Sequence, residues 1–521
     1  MVDARASGED TAAPAIDLWF DRTTNPSGTL HERRYTVAKI VILGAGVSGH
    51  TAALHLKRQL KQNHEVIVVS PNADWNWIPS NIWVGVGKMK TSQVLFPLAP
   101  IYRRKRIEFH QARAVAIWPE GDEGDPMGAV DIVYTDPKRE GATERLRYDF
   151  LINATGPKLN FEATPGLGPD HNSWSVCTAD HAAKTSEAFA KIVEELRRGE
   201  KKTLVVGMGH GACTCEGAAF EYAFNVEHEL REAGVRDNAE IVYLSNEYEL
   251  GDFGVDGMRF SQSGYLTTSK IWTESLFRER NVRAILQAHV ERVDPGVVHY
   301  EQLDGTKGSL EYDFAMLLPP FRGVDLQAFD RTGTDITSDL FAPNGFLKVD
   351  ADYTAKPYEQ WRAQDWPNTY QSPAYDNLFG IGIAFAPPHP VSRPRTSVNG
   401  TPISPAPPRT GMPSGVMGRV VAENITHRLT TGATQGPKTA SMATMGAACI
   451  ASAGANLRTG SAAAMTMFPI VPDYQKYPLT GRDDKATTGE IGRSGHWTKL
   501  LLHYLFIYKA RGLPGWHLIP E

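Results

Sequence analysis

Between Ala38 and Val69 the chain carries a pattern that few folds accommodate. An apolar run, Ile40-Val41-Ile42-Leu43, leads into Gly44, Gly46 and Gly49. A helical spacing follows in Ala52, Ala53, Leu56 and Leu60, with Lys57, Arg58 and Lys61 interleaved, and Val66-Ile67-Val68-Val69 closes the unit. This predicts strand, glycine turn, helix, strand. The first glycine permits a tight turn, the second lets a pyrophosphate approach the backbone, and the third lets helix and strand pack closely. A phosphate then meets free N–H groups at the positive end of a helix. The pattern therefore predicts dinucleotide binding.

The 521 residues allow two to three domains and an ample core. With 41% apolar and 22% charged residues the chain is an ordinary globular one, and a net charge of −5 leaves no nucleic-acid footprint. Cys177, Cys213, Cys215 and Cys449 do not form a secreted disulfide framework, so any disulfide is expected to serve chemistry. Residues 1–34 are polar, with neither a signal-peptide apolar core nor an Arg-rich transit pattern. No run of about 20 apolar residues occurs, so no bilayer-spanning helix is expected.

Downstream, Trp75 to Trp83 reads as a loop by its Asn, Pro and Ser content, dense in aromatics: a lid over core, or a wall beside a flat ring system. Tyr148 to Gly156 reads as a buried strand ending in a small-residue turn, an element that lies near the flavin nucleotide in two-dinucleotide-domain flavoproteins. A second glycine unit runs from Leu204-Val205-Val206 through Gly207, Gly209 and Gly211 to a helix expected near Cys213, then to the strand Ile241 to Leu244. Asn377 to Ile383 is a further apolar strand, residues 387–413 are Pro-rich, and Val416 to Leu429 is helical in spacing.

Cys177 precedes a helical pattern (Phe189, Ile192, Val193, Leu196) expected to start near Thr178. A cysteine at a helix start is favoured as thiolate, and His181 could add positive charge; a buried inert cysteine is the competing reading. Cys213 and Cys215 lack a second pair nearby, so they read as small residues packing a helix start rather than as zinc ligands, and no metal site is expected.

The chain from about residue 37 to 512 resembles the sulfide:quinone oxidoreductases of the FAD-dependent pyridine nucleotide-disulfide reductase superfamily. The resemblance rests on Val41 to Gly46, Pro79 to Gly87, Ala154 to Leu159, Ser175 to Ala182 and Cys449 to Gly454. It implies an α/β fold with two Rossmann-like dinucleotide-binding domains and a C-terminal membrane-interface region. Residues 1–36 would be a polar extension, 37–165 with 375–435 a discontinuous FAD-binding domain, 166–374 the second domain, and 436–521 the region carrying Cys449 and an amphipathic membrane-associating helix. It further implies non-covalent FAD held by Gly44, Ala45, Gly46, Gly49, Ser70, Pro79, Ser80, Asn81, Ala114, Ala154, Thr155, Gly156, Gly382, Ile383, Arg409, Thr410 and Gly411. Cys177 and Cys449 would be the redox pair, attacked by sulfide as a disulfide or trisulfide. Glu162, after the Ala154–Gly156 turn and near Cys177 in sequence, reads as a proton acceptor for hydrogen sulfide or as an isolated surface carboxylate. Electrons would pass through FAD to a membrane quinone bordered by Ile450, Lys499 and Leu502, with polysulfide or sulfur as product.

Departures from the family pattern are specific. Ile383 follows Gly382 where many relatives have Asp, Ser70 replaces a ribose-binding acid, and Ile450 replaces an aromatic beside the quinone. Asp252 stands where a histidine is common, and Arg409 keeps the charge of a usual lysine. The alternatives are a flavocytochrome c-type sulfide dehydrogenase flavoprotein, a type II NADH:quinone oxidoreductase, and a non-enzymatic flavoprotein sensor. Bulky His210 in the second glycine loop argues against a nicotinamide donor, with Glu247 the nearest ribose-binding candidate. The tail from His496 to Arg511 suits a monotopic interfacial helix, with Lys499, Lys509 and Arg511 snorkelling to anionic lipid and Trp497, Tyr504 and Trp516 at the boundary. An ordinary core helix is the competing reading. The membrane face and any homo-oligomer stay open.

Overall fold

A computed structural model of the protein describes residues 37–408 and 411–521. Residues 1–36, the expected polar extension, lie outside the described residues, as do Arg409 and Thr410. The fold is mixed α/β, built on two Rossmann-like sheets. In the first, the strand order is Leu378–Gly380, Phe150–Asn153, Lys39–Leu43, Glu65–Ser70, Glu108–Trp118, Ala129–Tyr134, Thr143–Arg147. The first five of these pair in parallel and the last two fold back antiparallel. Its inner strands are unbroken apolar runs because both faces are covered. Ile40 and Ile42 face the helix Val47–Leu60, whereas Val41 and Leu43 face a second cluster with Ile132, Leu151 and Leu347.

The second sheet is all parallel, in the order Val282–Ile285, Ala239–Leu244, Lys202–Met208, Phe314–Leu318. Gln327–Ala328 pairs with the Glu108–Trp118 strand, and Leu326, Leu340 and Phe341 pack in the first sheet's second cluster. That part of the span 166–374 therefore sits with the first sheet. A five-stranded sheet carries the C-terminal part, in the order Tyr265–Thr268, Arg259–Gln262, Thr488–Gly492, Ser461–Met467, Ala447–Ala453. The helix Arg493–Ala510 packs on its last three strands. Among the described residues no helix is long and apolar enough to cross a bilayer.

Three local expectations are corrected. Trp75 to Trp83 is not a loop: Asp74–Asn76 is a short strand and Asn81–Gly85 a buried helical turn. Trp77 stacks at 5.0 Å on Phe506 of the tail helix, so the aromatic run is a lid over core. The strand expected to reach Ile383 stops at Gly380, because Gly382 takes φ +66° and turns the chain into a 3-10 helix. The second glycine loop's helix starts at Glu216, not Cys213; Cys215, at φ +75°, delays it.

Candidate active site

The first glycine turn is built by close approach. Gly44 has φ +99°, and a Cβ on it would overlap the Ala154 carbonyl; one on Gly49 would overlap the Gly44 carbonyl. A Cβ on Gly46 would meet no atom within 4 Å, so the backbone there faces open space at the uncapped start of the Val47–Leu60 helix. Asn153 Oδ1 accepts the Thr155 N–H at 3.2 Å and its hydroxyl at 2.8 Å, which tightens the turn to Gly156 at φ +71°. Gly156 and Gly411 are likewise open, and Gly382 lies against the Ser48 side chain of the fingerprint helix. Ser70 is buried at a strand end, its hydroxyl 3.3 Å from the Asn72 N–H, and Ala114 is buried beside a register shift. Ser80 and Asn81 are buried, their side chains engaged by His503 and by the Val176 carbonyl. Ile383 is half-buried in the 3-10 turn after Gly382. Open backbone at Gly46 and an uncapped helix start fit the pyrophosphate of FAD, while at the adenosine ribose Ser70 offers a hydroxyl where an acid is usual.

Cys177 sits two residues before the helix Ala179–Arg197, whose cap Thr178 accepts the His181 N–H at 3.1 Å. Ser175 Oγ accepts the Cys177 N–H at 3.2 Å, and Asn81 donates to the Val176 carbonyl at 3.3 Å. Cys449 lies on the strand Ala447–Ala453, its Sγ 3.0 Å from where a Cβ on Gly217 would be. That strand is anchored to the helix Glu216–Glu232: Glu221 accepts the Ser452 N–H, and Asn225 bonds both Ser452 and Gly454. Cys215 caps the same helix and interacts electrostatically with both Cys177 and Cys449. Cys213 likewise interacts with Cys177, so all four thiols lie in one region, where the sequence reading gave Cys213 and Cys215 only a packing role. All four cysteines are free thiols.

The expected thiolate preference at Cys177 is not what the site gives. Burial pushes its thiol up to about 11 despite the Ser175 hydrogen bond. Burial also pushes His181 below its ordinary value, so it adds no charge, and its buried Nδ1 has no partner among the described residues. Burial holds Cys449 up at about 11, with Glu221 raising it further and Lys499 opposing. Desolvation outweighs a helix end that begins beyond the cap.

A polar seam separates the thiols from the tail helix. Lys499 Nζ reaches both Glu221 oxygens, at 2.7 and 2.6 Å, and the Ile450 carbonyl at 3.0 Å, so the structure brings Ile450 and Lys499 together. His496 pairs with Ser452 and His503 with Ser80 at 2.8 Å. Glu221, His496 and His503 were not legible as site residues. Leu502 is half-buried on the same helix. Two tail expectations fail. Lys499 and Lys509 do not snorkel outward: the first is bound by Glu221, the second by Glu521 at 2.8 Å and the Ile519 and Pro520 carbonyls. Trp516 is buried against His55 rather than at a boundary. Trp497, Leu501, Tyr504 and Tyr508 do form an outward stripe, 50, 57, 61 and 39% exposed.

Glu162 lies exposed in the turn Phe161–Ala163. The second glycine loop is covered. Its Gly211 and Cys213 carbonyls accept N–H groups of Ser404 and Ala406, and a Cβ on Gly211 would meet the Pro402 carbonyl at 2.6 Å. Glu247 is buried and held by Tyr243, Ser245 and the Phe253 N–H, which leaves it unsuited to a ribose.

Residues 38–254 match the model of the pyridine nucleotide-disulphide oxidoreductases. The chain is 28% identical over 473 residues to the sulfide-quinone reductase of Aquifex aeolicus, covering 91% of each. It superposes on the crystal structure of the sulfide:quinone oxidoreductase from that bacterium with a TM-score of 0.70 at 26% identity, covering 91% of this chain and 92% of that one. A mitochondrial external alternative NADH-ubiquinone oxidoreductase of Yarrowia lipolytica is 23% identical over 291 residues, 54% of this chain and 46% of that protein.

Proposed function

We infer that this chain, a member of the sulfide:quinone oxidoreductases within the FAD-dependent disulfide reductases, oxidises sulfide and delivers the electrons to quinone. The observation that carries the assignment of roles is the meeting of Cys177 and Cys449 with the start of one helix, from segments remote in sequence. FAD is held by the Gly44–Gly49 turn, the Ala154–Gly156 turn and the Gly382 and Gly411 ends. When bound, it accepts two electrons from sulfur and passes them on.

Hydrosulfide attacks a disulfide between Cys177 and Cys449. One S–S bond breaks and one forms, leaving a persulfide and a thiolate. Ser175 fixes the backbone of Cys177, and the Glu221 and Asn225 contacts fix the strand of Cys449, so each sulfur is carried on a tethered segment. The burial that raises both thiols to about 11 makes the released thiolate unstable where it stands, a drive to give up its electrons. The quinone meets Ile450, Lys499 and Leu502, beside the buried Lys499–Glu221 ion pair that holds Ile450 in place. The stripe Trp497, Leu501, Tyr504, Tyr508 rests on the bilayer surface from which quinone enters. The covered second glycine loop disfavours the NADH dehydrogenase reading. Anaerobic addition of sulfide should bleach the flavin, NADH should not, and a quinone should restore the colour. Bleaching by NADH at a comparable rate would overturn the assignment.

A further inference from the structure

The tail lysines expected to meet anionic lipid, Lys499 and Lys509, are turned inward and paired. Positive charge gathers instead at the far end of the fingerprint helix. That helix begins after Gly46, at the turn fitted to FAD, and its 14 residues end about 21 Å away. There it meets the end of the helix Leu98–Lys105 and the chain that follows the tail helix. Between them opens a cleft of about 440 Å³, within the range of small-molecule sites, roughly 300–1,000 Å³. Lys57, Arg58, Lys61, Arg104, Lys105 and Arg106 line it, with Leu54 and the buried Trp516. In a chain of net charge −5 this is a local reversal of sign.

These charges are not balanced within the fold. Among the described residues no carboxylate lines the cleft, and none of its six cations has an ion pair. Glu65, the acid that acts on Lys57, is paired with Lys39 at 3.7 Å. Lys57 reaches the His64 carbonyl at 3.4 Å and Arg104 donates to the Arg511 carbonyl. The side chains of Arg58, Lys61, Lys105 and Arg106 make no hydrogen bond among the described residues. Cations near a helix C-terminus are ordinary, but the two helix ends together supply about one negative charge against six positive ones. Each helix also stops on a cation in the left-handed region, Lys61 at φ +54° and Arg106 at φ +57°, where glycine is usual. Partial burial and then Arg106 hold Lys57 below the ordinary lysine value, and partial burial and Arg104 do the same to Lys105. An anion seated among them relieves that crowding.

The cleft is continuous with the outward stripe of the tail helix. Tyr508, the last member of that stripe, donates from its hydroxyl to the Pro514 carbonyl at 2.6 Å. The turn between them lies on the cleft wall: a Cβ on Gly512 would stand 2.7 Å from Lys105 Cε and 3.6 Å from Leu54. Two residues past Trp516, Leu518 is 77% exposed. Cations, an indole and outward apolar side chains thus follow one another across a short piece of surface, the sequence in which a membrane presents phosphate, glycerol and acyl chain. We propose that the cleft holds the phosphate headgroup of an anionic phospholipid, whose acyl chains leave over Leu518 and Tyr508. This rests on the reading of the Trp497–Tyr508 stripe as the membrane face. The unpaired guanidinium groups of Arg58 and Arg106 each grip two phosphate oxygens, and Lys57, Lys61 and Lys105 add charge without that geometry. The stripe gives depth. The cleft, at one end of the helix, gives direction, so that the tail lies in the membrane plane one way round. Attraction in the cleft is screened by salt, whereas burial of the stripe is not.

The test is co-sedimentation of the FAD-loaded full chain with vesicles of phosphatidylcholine, with and without phosphatidylglycerol, at low and high salt. Wild type should bind the anionic vesicles more tightly, and the gain should vanish at high salt. Each basic side chain near such a surface is worth about fivefold, so Arg58→Gln, Lys61→Gln, Arg106→Gln together should lose about a hundredfold on anionic vesicles and nothing on neutral ones. Arg58→Gln alone should lose about fivefold. FAD content, thermal stability and flavin reduction by sulfide should stay as in wild type. Lys138→Gln, Lys438→Gln, Lys485→Gln removes the same charge from exposed positions elsewhere and should leave both affinities unchanged. An equal loss in the two triple variants means diffuse attraction and overturns the site. Melting the protein without vesicles separates the soluble source of the same chemistry: stabilisation by inorganic phosphate that the first triple variant loses, with no preference for anionic vesicles, overturns the lipid. If wild type binds both vesicles alike and Trp497→Glu, Tyr504→Glu releases it, only the cleft falls. If that double change leaves binding to both vesicles intact, the reading of the stripe falls and the proposal with it.

Discussion

Replacing Lys499 by Met tests the seam beneath the quinone site. Its side chain and that of Glu221 are 11% and 7% exposed and joined at 2.6 Å. Removing one partner of such a pair strands the other charge, at a cost of about 3–5 kcal/mol. Burial already pushes Glu221 above the carboxylate range against the pull of Lys499. Without Lys499 it is pushed further and takes up a proton instead of remaining charged. A carboxyl with a raised folded-state pKa contributes stability below its unfolded value, and this is lost as pH rises through the folded value. The deficit of Lys499→Met should therefore be small near pH 4 and grow towards pH 8, by up to about 1.4 kcal/mol per pH unit. Urea unfolding of the FAD-loaded protein at the two pH values reads this directly. Adding Glu221→Gln should recover most of the loss at pH 8, because the amide oxygen still accepts the Ser452 N–H. Quinone reduction should fall more than flavin reduction by sulfide. A deficit equal at both pH values and untouched by Glu221→Gln would refute the argument.

Cys177→Ser and Cys449→Ser should each abolish sulfide-dependent quinone reduction while FAD stays bound, measured by flavin absorbance and turnover; near wild-type turnover in either would sink the pair. Acid precipitation should leave all flavin in the supernatant, since no cysteine precedes Cys177; flavin retained on the denatured pellet would contradict this. Gly49→Ala places a methyl against the Gly44 carbonyl and should prevent FAD loading, read as a colourless purified protein. The double change Trp497→Glu, Tyr504→Glu should release the protein from liposomes and impair reduction of lipid-embedded quinone, with soluble-quinone turnover kept; full liposome binding would make the stripe structural only. A truncation after Arg493 is a poorer test, because it also removes the partner of Glu221.

The first glycine unit was legible to within a residue at each strand, because Gly44, Gly46 and Gly49 each have one steric purpose and the flanking runs are buried on both faces. Cys177 and Cys449 were legible through resemblance, not through spacing. The rest of the site was hidden for physical reasons. Cys215 depends on a left-handed turn that local composition does not announce. Glu221 sits on a helix whose polar residues would ordinarily face water, and the strand Ala447–Ala453 and the tail packed over it bury it. Thiol acidity was misjudged because a helix end is a local property, whereas desolvation is set by every element that closes the site. The tail's lysines face inward because carboxylates remote in sequence receive them.

The tail helix also sets a distance. It spans 18 residues, a rod about 27 Å long and about 10 Å across. Trp497, Leu501 and Tyr504 stand on one side of that rod, and Lys499, His496 and His503 hold the other to the protein. If the outward side rests on lipid as proposed, a quinone ring passing from the bilayer to Lys499 would travel little more than one helix diameter, and a long isoprenoid chain need not leave the lipid. Because the inner side is pinned by an ion pair and two histidines, depth in the membrane and position over the site are one coordinate. Lipid thickness or packing that tilts the rod would be felt at Ile450, and so at the redox sulfur beside it on the same strand.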